Sequence, residues 1–323
     1  MSILIRTFAV VILSVLGFGV QAQGYPSKPI KLIVPFVPGG AIDRAARVFA
    51  MALGEKLKGQ VVVDNRPGAS GVIAIEAVAR AEPDGYTLLF ASDSFVLVQL
   101  THKNLPYTYD DFTPLARVRS SSIYMAVNAK VPADNLQELV ALARSRPGKL
   151  TYASGGTGTI LHFAGEMFKQ KTGTNIVHVP YKGSAPAIND TVGGMVDMVF
   201  GGAAEMRPFI DAGRLKPIGM TGAVPSPGTP MQPAFAQHGY PDFVMTTWQG
   251  ILAPARTEPA IIDLLTEACA DVAATPDYFK AIEPTGAEPA PPLKGKEFSD
   301  FIRRTDRQYR ELVSQAKLAF GVE

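Results

Sequence analysis

The sequence contains a single cysteine, Cys269, so no internal disulfide can form and stability must come from packing. Cys269 sits in the apolar helical run AIIDLLTEACADVA, where a thiol is expected to act as a small buried hydrophobe. Histidine is nearly as scarce. His102, His162, His178 and His238 are scattered and show no metal-ligand spacing, so no metal site is expected. Neither sign of charge is in excess. Of the 31 Lys and Arg, Arg6 lies in a segment expected to be removed, which leaves 30 against 29 acidic residues. That balance gives no reason to expect nucleic acid or an anionic membrane as partner. Beyond the N-terminus no run of about eighteen apolar residues occurs, so no membrane span is expected there. There is no GK[ST] phosphate loop, and Gly156-Thr157-Gly158 lacks the third glycine of a dinucleotide fingerprint. No cofactor is therefore expected. Low-complexity segments and short-period repeats are absent as well.

What is present begins with a leader. Arg6 supplies positive charge, residues 8–20 are apolar and uncharged, and Val20-Gln21-Ala22 offers small residues where a signal peptidase reads. Residues 1–22 are expected to be a secretory signal peptide cleaved near Ala22. An N-terminal membrane anchor is the alternative. The full sequence is 47% hydrophobic, and the remaining chain of about 300 residues can build two cores more readily than one. Apolar β-branched runs at 30–36, 60–65 and 86–92 alternate with helical patterns at 41–57 and 71–82. A second set has strand patterns at 122–130, 149–155, 175–181, 195–201 and 215–222, with helical patterns at 135–144 and 159–173. Such alternation predicts an α/β fold with helices on the faces of parallel sheets. The segment 222–233 is a Pro/Gly-rich loop, PAPP at 289–292 interrupts a helical tail, and a long helix from about Lys296 closes the chain.

Two loops share one plan. Pro38-Gly39-Gly40-Ala41 follows the first strand, and Ser154-Gly155-Gly156-Thr157-Gly158-Thr159 follows a strand of the second set. Each then enters a helix. A helix start presents unpaired N–H groups and the positive end of its dipole. Glycines let backbone approach a ligand closely, so each loop is a candidate anion site. The alternative for either loop is a turn that needs glycine for its own geometry.

The chain resembles the substrate-binding proteins of tripartite tricarboxylate transporters, the Bordetella uptake gene family, over essentially all of its mature length. The stretches that carry the resemblance include YPSKPIKLIVPFVPGG with Asp43, VVVDNRPGASG, AEPDGYTLL, RPGKLTYASGGTGT, HFAGEMFK, NIVHVPYKGSAPAINDTVGGMVD, AGRLKPIGMTG and TTWQGILAPARTEPAII. The resemblance implies a two-lobed periplasmic binding protein of type II-like architecture. Residues 23–122 and 250–323 would form one lobe and 123–249 the other, with the ligand cleft between them. It further implies a small organic carboxylate ligand held through backbone groups and ordered waters by the loops at 36–43 and 153–159, and a membrane permease as partner. The chain is expected to act as a monomer. On this sequence the loops supply Phe36, Pro38, Gly39, Gly40, Ala41 and Ser154, Gly155, Gly156, Thr157, Gly158, Thr159. Asp43 is expected to order the first loop by accepting N–H bonds in the first helical turn; direct ligand contact is the alternative.

Family members often carry an Asp-Asn pair where this chain has Gly201-Gly202 and Ala203, which argues against an amino-acid ligand. Ser92-Asp93-Ser94-Phe95 also departs from the family pattern; Ser92 and Asp93 are candidate site residues. Phe95 either faces an apolar ligand body or packs in the core. His162 points into the cleft or has a structural role, Tyr181 and Lys182 shape the cleft or cap the next helix, and Trp248 lines the cleft floor or packs. Two other functions stand as alternatives. An extracytoplasmic sensor would bind the same acids for a kinase. A secreted hydrolase would have to pair Ser154 with His162, without a GxSxG motif or a visible orienting carboxylate.

Overall fold

The computed structural model describes residues 24–222, 233–288 and 292–316. The expected leader, most of the loop at 222–233 and most of PAPP lie outside the described residues.

Sheet one contains β1 (Ile30–Val34), β2 (Val61–Asn65), β3 (Thr87–Ser92), β4 (Phe112–Ser122) and the late strand β10 (Thr246–Pro254), in the order β2-β1-β3-β10-β4. Sheet two contains β5 (Tyr124–Asn128), β6 (Thr151–Ser154), β7 (Val177–Pro180), β8 (Met198–Gly201) and β9 (Leu215–Met220), in the order β7-β6-β8-β5-β9. Both sheets have three neighbouring parallel strands and one inserted antiparallel strand, β10 in the first and β5 in the second. The α/β expectation holds, and each run expected as a strand forms one.

The central strand β1 shows why its run is continuously apolar. Ile30, Leu32 and Val34 enter one core and Ile33 enters another on the opposite face. A strand covered on both sides has no polar face to show. Helix α1 (Ala41–Leu57) buries Ala45, Ala46, Phe49 and Leu53 at helical spacing against that first core. It stops at Lys58, whose φ of 52° turns the chain so that Lys58 and Gly59 N–H groups close onto Glu55 and Gly54 carbonyls.

Strand β4 carries no strand pattern that periodicity detects. Its run FTPLARVRSSS holds a proline, two arginines and three serines. It can be a strand because it lies at the sheet edge, where Pro114 need not donate to a second neighbour. The segment after β3, for which the sequence shows no helical period, is helix α3 (Ser94–Thr101).

The chain changes sheets at Ile123, between β4 and β5, and returns just before Thr246. The crossings are stitched together. Thr221 and Ile123 are bonded twice, through Thr221 N–H to the Ile123 carbonyl (2.9 Å) and Ile123 N–H to the Thr221 hydroxyl (3.1 Å). Met245 N–H donates to the Thr221 carbonyl, and the Thr221 hydroxyl donates to the Met245 carbonyl. The closing helix α10 (Gly295–Ala316) packs on β4 and α3 of the first lobe and on α5 (Ile160–Thr172) of the second. Its Tyr309 ring lies 5.4 Å from that of Phe163. One apolar core thus runs from Ile33 and Leu89 into Met125 and Phe163.

Candidate functional site

Because β1, β2 and β3 run parallel, their ends at Val34, Asn65 and Ser92 share one edge of sheet one. In sheet two β6, β7 and β8 likewise end together at Ser154, Pro180 and Gly201. Both edges adjoin the crossing at Ser122–Tyr124, since β4 ends and the antiparallel β5 begins there. The strand ends of the two lobes therefore face a common cleft, the usual ligand position in open α/β sheets.

The first loop is held from below by Asp43, which is buried. Its Oδ2 accepts from Gly39 N–H at 2.9 Å and from Arg47 Nε at 3.0 Å, and its Oδ1 accepts from Asn65 Nδ2 at 2.8 Å. Burial alone would raise this carboxyl. The bonds from Arg47, Gly39 and Asn65 outweigh it and hold Asp43 below the usual carboxylate range. The bond to the backbone reaches Gly39, ahead of the helix, and not the first helical turn as expected. Side chains on a helix lean toward its N-terminus, which aims this carboxylate backward into the loop. Asn65, which sequence reasoning missed, also donates to the Phe36 carbonyl at 2.9 Å. With Asp43 and Asn65 beneath, Pro38, Gly39, Gly40 and Ala41 are exposed. A Cβ at Gly39 would meet nothing within 4 Å, and φ of +88° there favours glycine. No side chain caps the start of α1 at Gly40.

The second loop is tied more tightly. Ser154 is buried; Gly156 N–H donates to its Oγ at 3.2 Å, and Thr159 donates to the Gly156 carbonyl at 2.7 Å. Gly158 N–H donates to Nδ1 of His162 at 3.2 Å. Thr159 caps α5 by accepting from His162 N–H, which leaves the Ile160 and Leu161 N–H groups at the open end of the helix. A Cβ at Gly156 would lie 3.1 Å from the Tyr181 carbonyl, so glycine is needed for the close approach of this loop to the next. Tyr181 N–H and Gly183 N–H donate to the carbonyls of Ser154 and Gly155. The Tyr181 hydroxyl turns away to Asp190 at 2.8 Å.

Ser154 pairs with His178 Nε2 at 2.7 Å and not with His162. The distance between these residues in sequence, and the lack of any motif around His178, hid the pair. His162 is buried and its ring stacks on that of His178 at 4.1 Å. Glu166, the carboxylate nearest this pair, is itself engaged by Tyr152 at 2.7 Å and by Lys169 at 2.8 Å.

The remaining candidates fall on both sides of the cleft wall. Gly201 is buried and the site of its missing side chain faces Met206 and Ile188; Gly202 and Ala203 lie at the start of α7 (Ala203–Asp211). Glu205, one turn in, accepts from the Ser184 hydroxyl at 3.0 Å, so a carboxylate stands beside these glycines after all. Ser92 is buried and its hydroxyl bonds that of Ser94 at 2.9 Å. Asp93 keeps part of its surface, yet burial of its carboxyl raises it to about 6 against the opposing pull of the Arg119 charge. Phe95 is a core residue, edge-on to Phe112 at 5.2 Å, because α3 buries that face. Trp248 is buried against Phe298 and Phe301. Among the described residues no group of three or more His, Cys, Asp or Glu is placed to hold a metal, and no helix is long and apolar enough to cross a membrane.

Two α/β lobes that bring loop glycines and helix starts to a shared crossing define a two-lobed solute-binding protein. The model of the tripartite tricarboxylate transporter family receptor matches residues 45–318, and the chain belongs to that family. It is 36% identical over 304 residues to protein BugT of Bordetella pertussis, covering 92% of this chain and 93% of that one. It is similar to a structure described as a periplasmic transporter, at TM-score 0.75 and 37% identity over 92% of this chain and 99% of the other. A protein of R. palustris solved with adipate matches at TM-score 0.77 and 29% identity, covering 91% and 99%.

Proposed function

We propose that the chain is a periplasmic receptor that closes on a small organic carboxylate and delivers it, as a monomer, to the permease of a tripartite tricarboxylate transporter. One observation carries the reading: an uncapped helix start behind open glycines on one lobe shares a cleft with a second glycine loop and helix start on the other. Backbone N–H groups give a carboxylate charge-assisted bonds with no buried cation. The adipate bound by the R. palustris relative is a ligand of that class. The cleft residues of this reading are Phe36, Pro38–Ala41 and Ser154–Thr159, with Tyr181, Gly202 and Ala203 at the rim. Asp43 and His162 act beneath the loops. A hydrolase is less well supported, because Ser154 is buried and its hydroxyl is engaged by the Gly156 backbone and His178.

A thermal-shift screen of the mature chain tests it, using adipate, other aliphatic di- and tricarboxylates, aromatic carboxylates and amino acids. Ligand at a hundred times its Kd adds about 2.7 kcal/mol of stability. A carboxylate hit is expected. Stabilisation by amino acids alone, or by no acid in the panel, would count against the reading.

A further inference from the structure

Behind the second loop lies a polar cluster built around two stacked imidazoles. His178, on the edge strand β7, packs its ring nearly parallel to Tyr152 at 4.8 Å and to His162 at 4.1 Å. Through Nε2 it holds the Ser154 hydroxyl, which in turn accepts Gly156 N–H and donates to the Gly156 carbonyl at 3.2 Å. His162 accepts Gly158 N–H on Nδ1. Each imidazole thus grips one glycine of the loop, directly or through one hydroxyl.

We propose that His178 and His162 are positioning residues that set the second glycine loop in its ligand-accepting shape, and that this shape requires Nδ1 of His162 to carry no proton. The proposal rests on the receptor reading only in taking 154–159 as a ligand loop. The chemistry is direct. Gly158 can donate to Nδ1 only while that nitrogen keeps its lone pair, so a proton there removes the bond. Two imidazolium rings stacked at 4.1 Å would also repel. Among the described residues, Glu166 and Lys169 on α5 and Tyr152 on β6 face the pair, and α10 brings Tyr309 against Phe163. Burial lowers His162, with Lys169 adding to it and Glu166 opposing. Burial and the neighbouring His162 lower His178 to about 4. Both shifts favour the neutral rings, and a proton on Nδ1 of His162 releases Gly158.

The test is amide hydrogen exchange by NMR on the ligand-free mature chain, with His178→Phe and His178→Gln. Phenylalanine keeps a stacked ring and loses the bond to Ser154; glutamine offers an amide in its place. Exchange at Gly156 should rise about tenfold in His178→Phe and return to within about twofold of wild type in His178→Gln, while amides in the middle of α5 stay unchanged. No change at Gly156, or an equal rise in both variants, would overturn the proposal. If His178→Phe does not fold, a pH titration of the wild-type Gly158 amide decides. Its midpoint should lie below the ordinary 6.5 of histidine, and a midpoint at 6.5 or no movement overturns the proposal. Adipate added to the wild-type sample separates the two readings. Its failure to bind speaks against an adipate receptor, whereas the exchange and titration data report on the loop alone.

Discussion

Asp43 determines the shape of the first loop through three donors: one backbone group and two side chains. Asp43→Ala leaves the Gly39 N–H without its acceptor and the Asn65 amide with only the Phe36 carbonyl. A loss of about 1–3 kcal/mol in urea unfolding is expected, together with weaker binding of any carboxylate the wild type accepts. Because Asn65 spends its amide on the same carboxylate, Asn65→Ala should cost less in the Asp43→Ala background than alone, a coupling that a double-mutant cycle measures. A variant as stable as wild type would show that the loop keeps its shape without Asp43. The acidic residue in the first helical turn was visible in sequence. Its partners were not, since Asn65 reaches it from a neighbouring strand 22 residues away.

At the scale of elements, α5 rests on β6 through a glycine. A Cβ at Gly165 would lie 2.1 Å from the Tyr152 ring, which is buried and cannot swing aside. Gly165→Ala is expected to destabilise by about 1–3 kcal/mol in urea. Gly193, the last residue of α6 (Ser184–Gly193), has nothing within 4 Å, so Gly193→Ala should be neutral or stabilising by up to about 1 kcal/mol. Equal effects from the two would refute the packing account. The elements divide by how much of their burial is one-sided. Helix α1 was legible because its apolar residues recur on one face. Helix α3 was not, because Phe95, Val96, Leu97 and Val98 are all buried and an apolar run of that kind has no period.

For the whole molecule, two groups in different lobes oppose each other in acid. His178 has its folded value lowered to about 4, so the unfolded chain takes the proton first and stability falls as pH drops from 6.5 toward 4. Asp93 has its folded value raised to about 6, so the folded chain takes the proton first and stability falls as pH rises from 3.8 toward 6. The two slopes have opposite sign in one window. The Tm of Asp93→Asn minus that of wild type should therefore grow between pH 4 and 7, by thermal melts followed by circular dichroism. A difference that is flat or shrinks with pH would contradict the buried Asp93 carboxyl.

The sequence by itself determined the α/β alternation, the length of α1, the two glycine loops at helix starts and the balanced charge. All of these are local patterns of period, turn chemistry and composition, which act within a few residues of chain. Tertiary structure alone decided which strands share a sheet, that β4 is a strand at all, that Ser154 meets His178, and that Phe95 belongs to the core. The physical reason is the same in each case. These outcomes depend on contacts between residues far apart in the chain, such as Thr221 with Ile123 and Tyr309 with Phe163, and no window of sequence contains both partners.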